Sequence, residues 1–284
     1  MKSISTQYGP LTPQHTSDDL RQREILPVEY YPSGAIKSIP LEKQTIIETP
    51  VGTIPSELVS FHENGVINRI FPLNGKLSGY WSQEDEFELA ESITIPTPIG
   101  RITAKLLSIS FHENSAIRSF TLWPGETVST PTAKGPIATR IGVSFTPEGV
   151  ISSLEPANPI SVQTVAGEIT AFDPDAIGVN GDYNSLGFNT NEEVIRVTTT
   201  LTKLTAIHPD GRTSIFTPEY RESWCGDTEE EVVPMMVRFL DDSVKVQTNP
   251  DLPAVTIPRK GAAFFTEPYL PQLAQPFGQL KCSV

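Results

Sequence analysis

The chain predicts an all-β protein, an elongated array of antiparallel β-hairpin repeats that forms an open sheet with a C-terminal cap. A short template recurs five times around an aromatic anchor, at Tyr30, Phe61, Phe111, Phe145 and Phe188. Ahead of the anchors apolar and polar residues alternate, as they do in a strand with one buried face. The 26 prolines and 19 glycines in 284 residues fit a fold with many turns.

Residues 1–24 are polar and mixed in charge. Ser17 followed by D-D-L-R-Q-R-E starts either one short helix, because acids favour its first turn, or a loose arm. The repeat body, residues 25–218, then begins. Two and four positions before the anchors stand Val28 and Leu26, Val59, Ile109 and Leu107, Val143 and Ile141, and Leu186. Four positions after them come Gly34, Gly65, Ser115, Gly149 and Glu192, mostly preceded by short polar residues, so the chain should reverse there. Apolar residues return two and five positions past the turn, as at Ile67 and Ile70 or Ile117 and Phe120. A gap of three inside a period of two predicts a bulge or strand bend in each copy.

A second template precedes each of several anchors: T-P-V-G-T-I at Thr49, T-P-I-G-R-I at Thr97, T-A-K-G-P-I at Thr132 and T-V-A-G-E-I at Thr164. Each reads as a further hairpin turn, which makes a unit of about three antiparallel strands. Gly34 to Gly65 and Ser115 to Gly149 set a minimum unit of 31 to 34 residues, and units of that length bury a face only by stacking on neighbours.

Two insertions interrupt the pattern. The first, between Leu73 and Ser92, carries Tyr80 and Trp81 beside the acids Glu84, Asp85, Glu86, Glu88 and Glu91. A loop longer than its connection needs is a candidate binding site, here Tyr80, Trp81, Glu84, Asp85, Glu86 and Glu88; the bland alternative is a solvated acidic loop with Trp81 tucked onto the sheet. In the second, Phe172 to Ser185, Asp173, Asp175, Asn180 and Asp182 offer oxygen ligands for calcium. The D-x-D-x-D-G spacing with a closing Glu is missing, and ordinary turn chemistry accounts for the same residues. From residue 219 to 284 the template stops. Glu229 to Thr248 reads as a hairpin closed at Asp241 and Asp242 that caps the sheet, followed by a Pro-rich docked tail containing Phe264, Phe265, Tyr269 and Phe277.

No motif assigns a catalytic residue. His62 and His112 directly follow the anchors Phe61 and Phe111, and His208 directly follows Ile207, the anchor of a last repeat-like stretch. Copies three strands apart would stand about 14 Å from one another, too far for a shared zinc at about 2 Å, so a tolerated turn-entry position is expected instead. Nucleophile elbows and phosphate loops are absent. The acids at Glu84, Asp85 and Glu86 offer a carboxylate pair for glycoside chemistry, and Trp81, Trp123 and Trp224 offer stacking faces, although packing is the commoner use of each. Cys225 and Cys282 are expected as free thiols.

The run Phe61 to Trp81, F-H-E-N-G-V-I-N-R-I-F-P-L-N-G-K-L-S-G-Y-W, resembles the bacterial variant of the MORN repeat. Tyr30 to Leu41 and the copies at Phe111 and Phe145 match its first half. The resemblance covers about half the chain, and the unit here is longer than the family's. It implies open antiparallel β repeats with a binding or scaffolding role, in some members as partners of toxins, and it implies no catalytic residues.

A net charge of −13 argues against a nucleic-acid surface or attraction to anionic lipid. No apolar run spans a membrane and the first residues lack a secretion signal, so a cytoplasmic location without a cofactor is expected. The expected role is binding a protein or other macromolecule through a sheet face and the insertion loops, with a homodimer through open edges as a further possibility. That reading anticipates exposed aromatics at Tyr80 or Trp81 and no buried ionisable cluster. A carbohydrate-binding or carbohydrate-active protein requires a concave pocket with two facing carboxylates; a calcium-stabilised structural protein is the third reading.

Overall fold

The computed structural model describes residues 3–17, 21, 23–75, 77, 81–174, 176, 181–182, 184–222 and 230–270. The fold is all-β, with antiparallel, hairpin-linked strands in a large open sheet. The chain divides into two compact units, Met1–Ala157 with Ile177–Asn184, and Asn158–Ala176 with Ser185–Val284.

In the first unit the anchor hairpins lie side by side. Glu29–Tyr30 pairs with Ile36–Thr49, Gly52–Phe61 with Ile67–Phe71, Gly100–Phe111 with Ile117–Leu122, and Gly135–Phe145 with Ile151–Pro156. Each turns at the expected position with a left-handed residue, and at Ser115 (φ 68°) a side chain is accepted where the other turns of the unit use glycine. The bulge also stands where the period breaks. Ser60 pairs with Arg69 but Phe61 with Ile67, and the same register shift precedes Tyr30, Phe111 and Phe145. The extra residue keeps both apolar residues of the second strand inside, so Ile67 and Ile70 are 1% and 0% exposed. Val59, Phe61, Ile109, Phe111, Phe120, Val143, Phe145 and Leu154 complete this core. Tyr30 is the exception at 55% exposed, because it lies on a two-residue outermost strand.

The second template is a threonine turn. Thr49, Thr97, Thr132 and Thr164 each donate a hydroxyl to the carbonyl of the glycine three residues on, at 2.6–2.7 Å. A fifth case, Thr6 to Gly9 at 2.8 Å, lies in the N-terminal segment. That segment is therefore no loose arm: Ile4–Thr6 pairs with Gly9–Leu11, and Pro13 bridges to Leu41. The helix expected after Ser17 falls largely outside the described residues.

Neighbouring anchor hairpins are two strands apart rather than three. Ser92–Thr97 pairs only with the first half of the long strand Gly100–Phe111, leaving Ile109 and Ser110 to pair directly with Ile70 and Arg69. The spacing is thus about 10 Å.

In the second unit Leu186–Phe188 pairs with Val194–Thr199, again with the bulge at the anchor and a left-handed Glu192 (φ 61°). Val194–Thr199 pairs in turn with Met235–Phe239. Met235–Phe239 and Ser243–Gln247 form the expected hairpin around Asp241 and Asp242, but Val255–Pro258 adds a further strand beyond it. The segment expected as a docked tail is partly strand as well, since Ala263–Pro268 pairs along Thr202–Ile207.

Candidate functional site

The first insertion is where structure and the loop expectation part. Its second half is a helix, Gln83–Leu89, opened by a capping box: Ser82 Oγ accepts from the Asp85 amide at 3.1 Å, and Asp85 accepts from the Ser82 amide at 2.8 Å. The amide bond and then the hydroxyl of Ser82 hold the Asp85 carboxyl below its usual range. Lys105 closes the other end, donating to the Phe87 carbonyl at 2.7 Å with its ammonium 3.8 Å from the Phe87 ring centre. Glu84, Asp85 and Glu88 are exposed, while Glu86 on the opposite face is 2% exposed.

Glu86 meets a partner that the sequence pattern does not announce. The Arg21 guanidinium bridges two buried carboxylates, Glu57 through Nη1 at 2.7 Å and Nη2 at 2.9 Å, and Glu86 through Nε at 3.0 Å together with a second bond from Nη2. Arg23 stands 3.5 Å from Glu57 and donates to the Glu42 carbonyl at 3.0 Å. All four charged groups are 7% exposed or less. Burial alone would pull the Arg21 guanidinium down, but the hydrogen bonds and charges of Glu57 and Glu86 outweigh it and hold it above its ordinary value. Among the described residues, two positive and two negative groups balance one another in the cluster, as a buried ionic site requires.

The remaining carboxylate lone pairs are used locally. Glu57 accepts from the Asn74 amide at 2.7 Å, and Glu86 from the Gly75 amide at 2.8 Å and the Trp81 indole at 2.5 Å. A Cβ at position 75 would lie on the Glu86 carboxylate, so a residue larger than Gly75 would push that side chain aside. Trp81 is half-buried in this arrangement.

Beside the cluster opens a cleft of about 330 Å³. Phe71, Leu73, Leu77, Leu107, Trp123 and Pro124 supply its apolar lining, and Asn74, Gly75, Gln83 and Glu86 its polar wall. Trp123 packs edge-on against Phe87, with ring centres 6.2 Å apart. Its indole N–H is buried and has no partner among the described residues. The volume is that of a small recognition pocket.

Of the expected site residues, Trp81 and Glu86 belong to this assembly, Glu84, Asp85 and Glu88 lie on the helix beside it, and Tyr80 falls outside the described residues. Sequence reasoning missed Arg21, Arg23 and Glu57. One signal was available: four positions before the Phe61 anchor, where three of the other four copies place Leu or Ile, stands Glu57.

The expected calcium residues are dispersed in role. Asp182 Oδ2 lies 3.3 Å from Arg118 Nη2, Asp173 opens a turn by accepting from Ala176 at 3.3 Å, and Asp175 and Asn180 lie outside the described residues. Nearby, Gly181 donates to Thr121 at 2.9 Å and Asn184 donates to Ser153 at 2.7 Å, so this segment is pinned to the sheet by protein contacts. No cluster of three metal-ligating side chains occurs among the described residues. No helix of the described residues is long and apolar enough to cross a membrane.

The histidines also find a role other than tolerated turn entry. His62 Nε2 lies 2.9 Å from the carbonyl of Phe111, and His112 Nε2 lies 2.9 Å from that of Phe145. A carbonyl only accepts, so the facing ring nitrogen carries the proton. Tyr31 makes the equivalent bond to the Phe61 carbonyl at 2.9 Å. The residue after each of these anchors thus ties its hairpin to the next. His208 differs, facing Ser214 within its own hairpin at 2.9 Å.

A comparison with protein-family models, curated proteins and solved structures found no match for this chain.

Proposed function

We propose that this protein is a non-catalytic binding or scaffold protein that receives a basic segment of a protein partner at the cleft beside the acidic helix. The observation that carries the reading is the cleft itself, apolar over most of its lining. An apolar side chain of the partner fits such a lining. The exposed Glu84, Asp85 and Glu88 then face basic residues that flank the inserted group.

A buried ionisable cluster was not expected of a binding protein. Its carboxylates are spent on the arginines, on backbone amides and on the Trp81 indole, so the cluster supports the cleft. The same fact weighs against the carbohydrate-active reading, because Glu57 and Glu86 are bridged by Arg21 rather than facing each other across open space. The shared bulge and turn of the anchor hairpins support the repeat, MORN-like kinship within this proposal.

The test is a pull-down from lysate of the source organism with three baits: the intact protein, Leu107→Arg in the cleft, and Glu84→Lys/Glu88→Lys on the helix. A protein retained by the intact bait, lost with Leu107→Arg and weakened with the helix variant is the expected result. Equal retention by all three removes the cleft from consideration, and glycan binding abolished by Leu107→Arg would move the site to the carbohydrate reading.

A further inference from the structure

We propose that Arg21 is the positioning residue of the cleft, so that the cleft wall is formed only when the N-terminal segment is seated. The inference rests on the cleft being the binding site, and it adds how that site is held. The N-terminal segment is also fastened to the sheet at residues that do not line the cleft. Gln7 donates to the Gly65 carbonyl at 2.8 Å, the Tyr8 hydroxyl accepts the Ile67 amide at 3.0 Å, and Gln14 donates to the Pro40 carbonyl at 2.9 Å. These contacts reach only the hairpins around Gly34 and Gly65 and the strand between them. Arg21 alone in this segment, among the described residues, carries the connection onward to the helix-bearing insertion.

The wall itself depends on the two carboxylates that Arg21 orients. Asn74 and Gly75 line the cleft, and their amides donate to Glu57 and Glu86 respectively. Glu57 comes from the strand Gly52–Phe61 and Glu86 from the helix, so nothing in their own backbones sets the two carboxylates relative to each other. The guanidinium does, because its planar donors engage both at once. Without it Glu57 would keep only Arg23, 3.5 Å away, and Glu86 would lose its arginine partner in a buried site, so one or both carboxylates would turn away or take up a proton. Either change removes an acceptor from the wall.

Amide exchange followed by NMR on the full chain tests this without any partner. In Arg21→Ala the Asn74 and Gly75 amides and the Trp81 indole N–H should exchange at least about tenfold faster, while Val59 and Ile109 in the sheet keep their protection. Methylguanidinium added to that variant should restore slow exchange, since it replaces the missing fork. Unchanged exchange at Asn74 and Gly75, or acceleration that methylguanidinium does not reverse in the folded variant, overturns the proposal. Should Arg21→Ala not fold, Arg21→Lys keeps the charge but not the fork. It should fold and still exchange faster at these two amides; wild-type exchange there overturns the proposal. Failure of the binding reading is read separately, from a pull-down in which Leu107→Arg changes nothing while the Arg21 variants behave as described.

Discussion

Glu42 is the residue at which acid acts most directly. One carboxylate oxygen accepts the Thr16 hydroxyl, and the other accepts the His15 amide at 2.6 Å and the Thr16 amide at 3.1 Å. The Thr16 hydroxyl bond foremost, against the opposing effect of burial and helped by the two amides and His15, lowers the carboxyl from 4.5 to about 2. A depressed acid contributes stability that is present above its unfolded value and lost as pH falls through its folded value. The melting temperature should therefore fall between pH 4.5 and about 2, and Glu42→Gln should flatten that part of the profile. Parallel profiles for the two proteins would show that Glu42 does not carry the acid response. At this scale the sequence was partly legible. Glu57 and Asn184 occupy the slot four positions before an anchor that is apolar elsewhere, and both are buried and organise polar contacts. Arg21, far from Glu57 in sequence, had no local signal, since an arginine in a polar stretch reads as surface.

The anchor hairpin is the element that sequence periodicity described best. A gap of three in a period of two has one simple geometric outcome, one extra residue on one strand, and the register shift stands there in each case. The helix Gln83–Leu89 was hidden by its own composition, because acids in a long insertion look like a solvated loop; Ser82 and Asp85, three residues apart, were the capping signal that marked it. The bonds from Tyr31, His62 and His112 to the next hairpin were illegible for another reason: they cross between copies, and periodicity within one strand carries no information about what its turn faces. His112→Phe keeps the ring but leaves the Phe145 carbonyl without that donor. Chemical denaturation should show a loss of about 1 kcal/mol, with an unchanged dependence on denaturant. A change within measurement error would mean that the bond adds nothing net.

For the whole molecule the net charge of −13 and an isoelectric point near 4.8 govern behaviour between copies. Repulsion between chains fades as pH falls from 7 toward 4.8, so light scattering should report the strongest self-association there, well above the pH at which Glu42 titrates. Scattering that rises only below pH 3 would instead tie association to acid unfolding. The spacing between hairpins is also a property of the whole. Three strands per unit were countable, but the third, as in Ser92–Thr97, pairs with the far half of a long strand instead of intervening between neighbours. Strand count alone does not distinguish those two arrangements.

The sequence by itself determined the all-β class, the hairpins, their turns and their bulges. Those features follow from side-chain alternation and from backbone angles that small residues permit, both of which are local. Only the tertiary structure decided which hairpins adjoin, what His62 and His112 bind, and how Arg21, Glu57 and Glu86 converge beside a cleft. Those outcomes depend on long-range register and on the mutual neutralisation of buried charges, and neither is written in the spacing of residues along one strand.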